Sequence, residues 1–195
     1  MRIGVLGGSF DPPHDGHVAL AREAARQLNL DRVLLVVAGS PPHKPNGPTM
    51  PGGRRLALVE AACAGDALLE ASDLELHRDG PTFTAETLEQ VAADYPGADL
   101  WFILGADQLA GFASWSRPER ILELARLGVA MRPGSDGRAA GEVARGIAEG
   151  RLDLIEMPEV PVSSTAVRER LARGESIRDV VPGPVADLLE PAPSS

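Results

Sequence analysis

Two short apolar runs, Ile3-Gly4-Val5-Leu6 and Val33-Leu34-Leu35-Val36-Val37, bracket one amphipathic segment near the start of the chain. Neither run alternates with polar residues, so each reads as a strand covered on both faces, the situation of a parallel sheet. Between them Val18, Ala21, Ala25 and Leu28 fall on one helical face while Arg22, Glu23 and Arg26 point elsewhere, the pattern of a helix laid on a sheet. Asp15 is the expected N-cap of that helix.

The same alternation continues. Arg54–Ala64 reads as a helix, Ala67–Glu70 as a short strand, and Ser72–His77, where apolar and polar residues alternate, as an edge strand. A helix is expected from Thr84 to about Asp94, ended by Tyr95-Pro96-Gly97, and a buried strand at Trp101–Leu104, stopped by Gly105-Ala106-Asp107. Next come a helix over Pro118–Leu124, with proline suited to its first turn, and a strand over Leu127–Met131, closed by Arg132-Pro133-Gly134. A helix over Arg138–Glu149, weakened by Gly141 and Gly146, leads to a strand over Leu152–Glu156. Ser163-Ser164-Thr165 caps a helix reaching Arg173, and a short helix over Pro184–Glu190 precedes a tail frayed from about residue 191. There is no internal repeat and no linker. The expectation is one domain over 1–195 with an α/β, doubly wound, Rossmann-like parallel sheet and helices on both faces.

Composition narrows the partners. With 44% hydrophobic and 24% charged residues in 195 the chain is globular, and its net charge of −9 argues against a general nucleic-acid or anionic-membrane binder. A single cysteine, Cys63, allows no disulfide within the chain and sits in an alanine-rich segment as a packed small hydrophobe. No apolar run is long enough to span a bilayer, and Gly7-Gly8 and Asp11-Pro12 interrupt anything resembling a signal peptide. A cytoplasmic, soluble protein is expected; no signature of a particular oligomeric state is present.

Chemistry concentrates where the first run ends. Gly7-Gly8-Ser9-Phe10-Asp11-Pro12-Pro13-His14-Asp15-Gly16-His17 is a glycine turn leading into a helix start. A helix N-terminus presents free N–H groups and partial positive charge, and glycines let a phosphate approach the backbone. His14 and His17 add side-chain donors at the same point. Two histidines three apart could also be surface polar residues or half of a zinc site, but four histidines and one cysteine, dispersed, suit four-ligand zinc poorly. Lys44, in Pro41-Pro42-His43-Lys44, leaves from the ligand edge of the second strand; alone it reads as a solvated loop lysine, and beside the histidines as a cation held by prolines for phosphate oxygens. Asp107 after a strand end could accept from ribose hydroxyls, and Trp115 could stack on a heteroaromatic ring or serve as core. Ser163-Ser164-Thr165-Ala166-Val167-Arg168 is a second hydroxyl-rich helix start, where Arg168 is one turn in and able to reach back to an anion; a plain cap is the alternative.

The His14-Asp15-Gly16-His17 element resembles the HxGH signature of the nucleotidylyltransferase superfamily. Nearly the whole chain, through Pro-Pro-His-Lys, Pro81-Thr82-Phe83-Thr84-Ala85-Glu86-Thr87-Leu88, Phe102-Ile103-Leu104-Gly105-Ala106-Asp107, Trp115, Arg132-Pro133-Gly134 and Ser163–Arg168, resembles the bacterial nicotinate-nucleotide adenylyltransferases in order. The resemblance implies that ATP and nicotinate mononucleotide, with Mg²⁺, give deamido-NAD and pyrophosphate. It implies phosphate contacts from His14, His17, Lys44 and Arg168, and an ATP site built from Gly7, Gly8, Ser9, Phe10, Gly16, Gly105, Asp107, Ser163, Ser164 and Thr165. Thr82, Thr84, Trp115 and Arg132 would hold the acceptor; no protein-bound metal is implied.

The family more often has Tyr at Phe83 and Asp at Glu86, positions flanking the pyridine pocket, which bears on acid-versus-amide preference; Ser9 keeps the hydroxyl of the commoner Thr. The competing readings are a sister enzyme using nicotinamide mononucleotide or phosphopantetheine, the latter generally with Thr where His14 stands, and a non-catalytic nucleotide sensor.

Overall fold

In the computed structural model, residues 1–40, 47–131, 146–147 and 150–190 are described. Six strands, β1 (Arg2–Gly8), β2 (Arg32–Val37), β3 (Leu69–Ser72), β4 (Asp99–Gly105), β5 (Ala125–Met131) and β6 (Leu152–Glu156), form one sheet in the order β3-β2-β1-β4-β5-β6. Every pairing is parallel. Among the described residues the helices are α1 (Asp15–Gln27), α2 (Gly52–Cys63), α3 (Thr84–Asp94), α4 (Ala106–Leu109), α5 (Pro118–Leu124), α6 (Ser164–Ala172) and α7 (Gly183–Leu189), with a 3₁₀ turn at Phe112–Ser114.

The period-2 pleat sorts the apolar strand residues onto two cores. Leu6, Val33, Leu35, Val37, Trp101, Ile103 and Ile155 meet the apolar faces of α1, α2, α6 and α7. Ile3, Val5, Leu34, Val36, Phe102, Leu104, Leu127 and Val129 meet Ala85, Leu88 and Val91 of α3 and Ile121 of α5. Both faces are therefore covered, as the unalternating runs required, and the order reverses between β1 and β4. In such sheets the crevice beyond the carboxyl ends at the reversal is where ligands bind.

Opposite that crevice, four strands are tied together. The Arg2 guanidinium of β1 lies 4.4 Å from the Trp101 ring of β4, and the Trp101 indole N–H donates to Asp153 Oδ2 of β6 at 2.8 Å. Arg126 of β5 clasps the same carboxylate through both oxygens, at 2.8 and 2.7 Å. On the β6 edge, the Gln27 side-chain amide donates to the Glu156 carbonyl at 2.8 Å and accepts from the Glu156 N–H at 2.9 Å.

Two expectations are corrected. Ser72–His77 is not an edge strand: β3 ends at Ser72, and the chain then turns, with the Leu76 N–H donating to the Asp73 carbonyl at 2.7 Å. Leu74 and Leu76 pack against opposite cores across that turn, so the apolar alternation reflects two covered sides without a neighbouring strand. The first helix is capped by His14, not Asp15: His14 is extended (φ −143°, ψ 171°), and Asp15 is already helical, its N–H donating to the Val180 carbonyl at 3.0 Å. α4 and the 3₁₀ turn are too short to leave a periodic signal. Cys63 is buried, and burial together with Asp66, Glu70 and Glu60 pushes its thiol up to about 11. It is therefore a protonated, unreactive core residue near neutral pH. Among the described residues no helix is long and apolar enough to cross a membrane.

Candidate active site

β1 delivers Gly7 and Gly8 to the crevice, and the turn that follows is shaped by one ring. Phe10 adopts a left-handed conformation (φ 47°) while its side chain is only 1% exposed. The ring slides under Gly8, where an added Cβ would lie 2.9 Å from Phe10 Cζ. Phe10 also sets its edge against the His17 ring, centroids 5.0 Å apart at 75°. The strain of a non-glycine residue at positive φ is offset by this burial.

His14 and His17 stack, centroids 3.7 Å apart and planes 23° from parallel, and Gly16 leaves the room: a Cβ there would meet the His14 ring at 3.1 Å. The His14 backbone N–H donates to His17 Nδ1 at 3.2 Å. That bond makes Nδ1 an acceptor and assigns the proton of the neutral ring to Nε2. His17 is thus a fixed donor on the wall of the crevice, within the first turn of α1.

The crevice is a cleft of about 480 Å³ with four kinds of wall. Gly7, Gly8, Ser9, Gly16 and His17 form the wall between the end of β1 and the start of α1. Gly105, Asp107, Gln108, Trp115 and Ser116 come from the end of β4 and beyond, with the Trp115 ring held edge-on by Phe102 at 5.8 Å and tilted against Phe112 at 5.6 Å. Glu75, Thr82, Phe83, Thr84 and Thr87 make a third wall, and Leu20, Met157, Pro158, Val160 and Val162 an apolar fourth. The Thr82 hydroxyl is buried with no hydrogen-bond partner among the described residues, a group that a ligand can satisfy.

Behind that first wall, Asp11 gathers the surrounding elements. Its carboxylate, 5% exposed, accepts from the Thr49 and Met50 N–H groups at 2.7 and 3.0 Å, ahead of α2. Arg168 of α6 donates to the Asp11 carbonyl at 2.6 Å, lies 3.7 Å from its carboxylate, and also reaches Thr165 Oγ1 at 3.2 Å. Arg55 of α2, buried at 2% exposure, donates to the Ser9 and Met50 carbonyls at 2.8 and 3.1 Å. Burial pulls the Arg55 guanidinium below its ordinary value, opposed by the Asp11 carboxylate. Ser163 caps α6 by accepting from the Ala166 N–H at 3.2 Å, and the Ser164 hydroxyl donates to the Pro12 carbonyl at 2.8 Å.

The cytidylyltransferase-like family matches residues 5–170. Curated relatives described as nicotinate-nucleotide adenylyltransferases include one from Roseiflexus, 44% identical over 96% of this chain and 94% of the relative, and one from Thermus thermophilus, 41% identical over 97% of both. A third, from Exiguobacterium sibiricum, is 39% identical over 97% of this chain and 96% of its own length. The chain belongs to the nicotinate-nucleotide adenylyltransferase family. Among solved structures, one of that description from Vibrio parahaemolyticus superposes with a TM-score of 0.70 at 25% identity, covering 97% of this chain and 99% of the other. The Plasmodium falciparum nicotinic acid mononucleotide adenylyltransferase, complexed with NaAD, superposes with a TM-score of 0.74 at 20% identity, over 95% and 93% of the two chains, a likeness of fold.

Of the residues singled out for this family's site, Gly7, Gly8, Ser9, Gly16, His17, Thr82, Thr84, Gly105, Asp107 and Trp115 line the one cleft. Phe10 and His14 lie beneath the β1–α1 wall rather than on it, and Ser163, Ser164, Thr165 and Arg168 adjoin that wall through Asp11 and Pro12. Phe83 lines the cleft; Glu86 instead faces outward, 3.8 Å from Arg117. Lys44 and Arg132 lie outside the described residues, as do most of the helix expected over Arg138–Glu149 and the tail from 191. Sequence reasoning passed over Asp11, Arg55, Glu75 and the apolar wall. Asp11 stood inside the motif and could have been found as the one acidic residue between the glycine turn and the histidines; nothing local marked Arg55 or Glu75 as buried.

Proposed function

We infer that this protein, as one nucleotidylyltransferase domain over 1–195, joins ATP to nicotinate mononucleotide and releases pyrophosphate, forming deamido-NAD in NAD biosynthesis. The observation carrying this reading is that a single cleft joins the His17 phosphate wall to an aromatic and hydroxyl-lined pocket around Trp115, Thr82 and Thr84. Two nucleotides must lie with phosphates touching and rings apart, and the lining of the cleft supports that layout.

An oxygen of the mononucleotide 5′-phosphate attacks the α-phosphorus of ATP; the new P–O bond forms as the bond to the bridging oxygen breaks, and pyrophosphate leaves with that electron pair. No covalent enzyme intermediate is needed, so catalysis is alignment plus donors for growing charge. In this reading His17 Nε2–H, steadied by stacked His14, donates to a phosphate oxygen. Gly7, Gly8, Ser9 and Gly16 let the phosphates reach the α1 N-terminus, over the support of Phe10. Arg168, with Lys44, balances triphosphate charge beside the Ser163-Ser164-Thr165 helix start. Gly105 and Asp107 receive the ATP ribose, and the apolar wall of Leu20, Met157, Val160 and Val162 receives the adenine.

Thr82, Thr84 and Trp115 hold the pyridine ring, and Arg132 the acceptor phosphate. α3 starts at Thr84 behind Phe83, which supplies no side-chain cap; the Glu86 N–H donates to the Phe83 carbonyl at 3.1 Å, and the Thr84 and Ala85 N–H groups are the ones that an anion would meet. A carboxylate suits that position better than an amide. Among the described residues no group of three or more His, Cys, Asp and Glu side chains could hold a metal ion. Mg²⁺ is read here as arriving with ATP, on the phosphate oxygens of the substrate.

Pyrophosphate release with ATP and Mg²⁺ tests the reading, with nicotinate mononucleotide, its amide and phosphopantetheine as acceptors. The acid should give the highest kcat/KM. Tight ATP binding without turnover on any acceptor would instead favour a nucleotide sensor.

A further inference from the structure

Glu75 is an acidic side chain on the wall of a ligand cleft, only 9% exposed. The Thr87 hydroxyl donates to its Oε1 at 2.7 Å and the Gly39 N–H to its Oε2 at 3.4 Å, so both oxygens accept. Neither donor is a cation. The nearest positive charge along this network, Arg78, stops one hydroxyl short, donating to Thr87 Oγ1 at 2.9 Å. A buried carboxylate held by neutral donors is costly, and a positive ligand charge arriving beside it relieves that cost.

The carboxylate is also held rigidly. Its turn packs directly on Gly39, where an added Cβ would fall within contact of the Glu75 carbonyl, and the Thr82 N–H donates to the Ser40 carbonyl at 3.2 Å. Trp115, in the same cleft, offers the other element that attracts cations, an aromatic ring. The acceptor proposed above brings such a charge: its ring is a pyridinium.

We propose that Glu75 is the counter-charge for that ring, so that the acceptor pocket selects cationic N-ribosyl rings over neutral rings of the same shape. This rests on the Thr82–Trp115 end of the cleft being the acceptor-ring pocket. The ring's own carboxylate is directed to the α3 N-terminus, leaving the ring nitrogen as the charge that Glu75 senses. Glu75 is a specificity residue here, taking no proton and forming no bond.

The discriminating probe is the benzoate C-nucleoside 5′-phosphate, which keeps the aromatic ring, carboxylate, ribose and phosphate but carries no ring charge. Wild-type enzyme should prefer nicotinate mononucleotide over this isostere by about tenfold or more in kcat/KM, the scale of one screened charge contact. In Glu75→Gln the KM for nicotinate mononucleotide should rise about tenfold, with the KM for ATP and the kinetics of the isostere nearly unchanged. Nicotinamide mononucleotide should lose as much as the acid, because both rings are cationic.

Equal use of the two acid acceptors by wild-type enzyme would overturn the proposal without any variant. So would a Glu75→Gln enzyme that loses pyridinium and isostere alike, the mark of a structural role, or one that loses only the amide, the mark of a contact to the ring substituent. Absence of turnover by wild-type enzyme with every acceptor would strike the functional reading itself, a different failure.

Discussion

His17 presents its proton on Nε2 because the His14 N–H occupies Nδ1, and it holds its angle because one ring face meets His14 while Phe10 abuts it. An oriented donor aimed at charge that develops only in the transition state acts on kcat more than on binding. His17→Ala should therefore lower kcat by about two orders of magnitude or more, with circular dichroism unchanged. A folded variant with near-normal turnover would remove His17 from the chemistry. At this scale the sequence was informative wherever chemistry is local. Glycines, histidines and a helix start are contiguous, so His14, Gly16 and His17 could be read directly. Glu75 could not: it sits in a turn of polar appearance, between Leu74 and Leu76, and its burial is produced by Gly39 and Thr87 arriving from other elements. Asp15 was expected to cap α1 because carboxylates favour that position; the stacked histidines instead make His14 the boundary residue.

Elements were legible in proportion to their length and to how fully two neighbours cover them. β2, α3, α5 and β6 stand where their patterns indicated, because unalternating runs and clear caps describe residues packed on both sides. Ser72–His77 misled because a turn with leucines in two cores repeats the period of a strand. How the elements are fastened was invisible, and Asp11 is the clearest case. It joins the turn after β1 to α6 through Arg168 and to the approach of α2 through Thr49 and Met50. Asp11→Asn keeps the size but lets only one oxygen accept, and it removes the charge beside Arg168. Its kcat/KM for ATP should fall about tenfold to a hundredfold, the worth of a charge-assisted hydrogen bond. If the loss runs through Arg168, the Asp11→Asn/Arg168→Ala double variant should be little worse than Arg168→Ala alone. Steady-state kinetics with ATP varied across the four proteins checks this; a double variant whose loss is the product of the single losses would show that Asp11 acts elsewhere.

Across the whole molecule the two ends of the sheet divide the labour. The carboxyl ends carry the cleft, and the other end carries the Arg2–Trp101–Asp153–Arg126 cluster that binds β1, β4, β5 and β6 together. The Arg126 hydrogen bonds hold the Asp153 carboxyl below the ordinary carboxylate range, with burial opposing and the Trp101 N–H assisting. A folded-state value below the unfolded one means that the contribution is complete above the unfolded value, roughly pH 4, and disappears as pH falls through the folded value. Asp153→Asn should thus be less stable by about 1–2 kcal/mol at pH 7, a figure reduced for the solvent that reaches the pair. Its stability should also fall less steeply than wild type below pH 4. Urea denaturation of both proteins at pH 7 and pH 3 measures this, and parallel pH profiles would exclude the cluster as the acid-sensitive clasp. Cleft kinetics should hardly change, since the cluster is at the far end.

The Gln27 amide, at that sheet's β6 edge, reaches beyond this division. Edge strands expose unpaired N–H and C=O groups on which another chain can begin a ladder. By engaging both groups of Glu156, one glutamine of α1 occupies the place where a neighbouring strand would dock, and a single side chain thereby favours solubility over sheet-to-sheet aggregation.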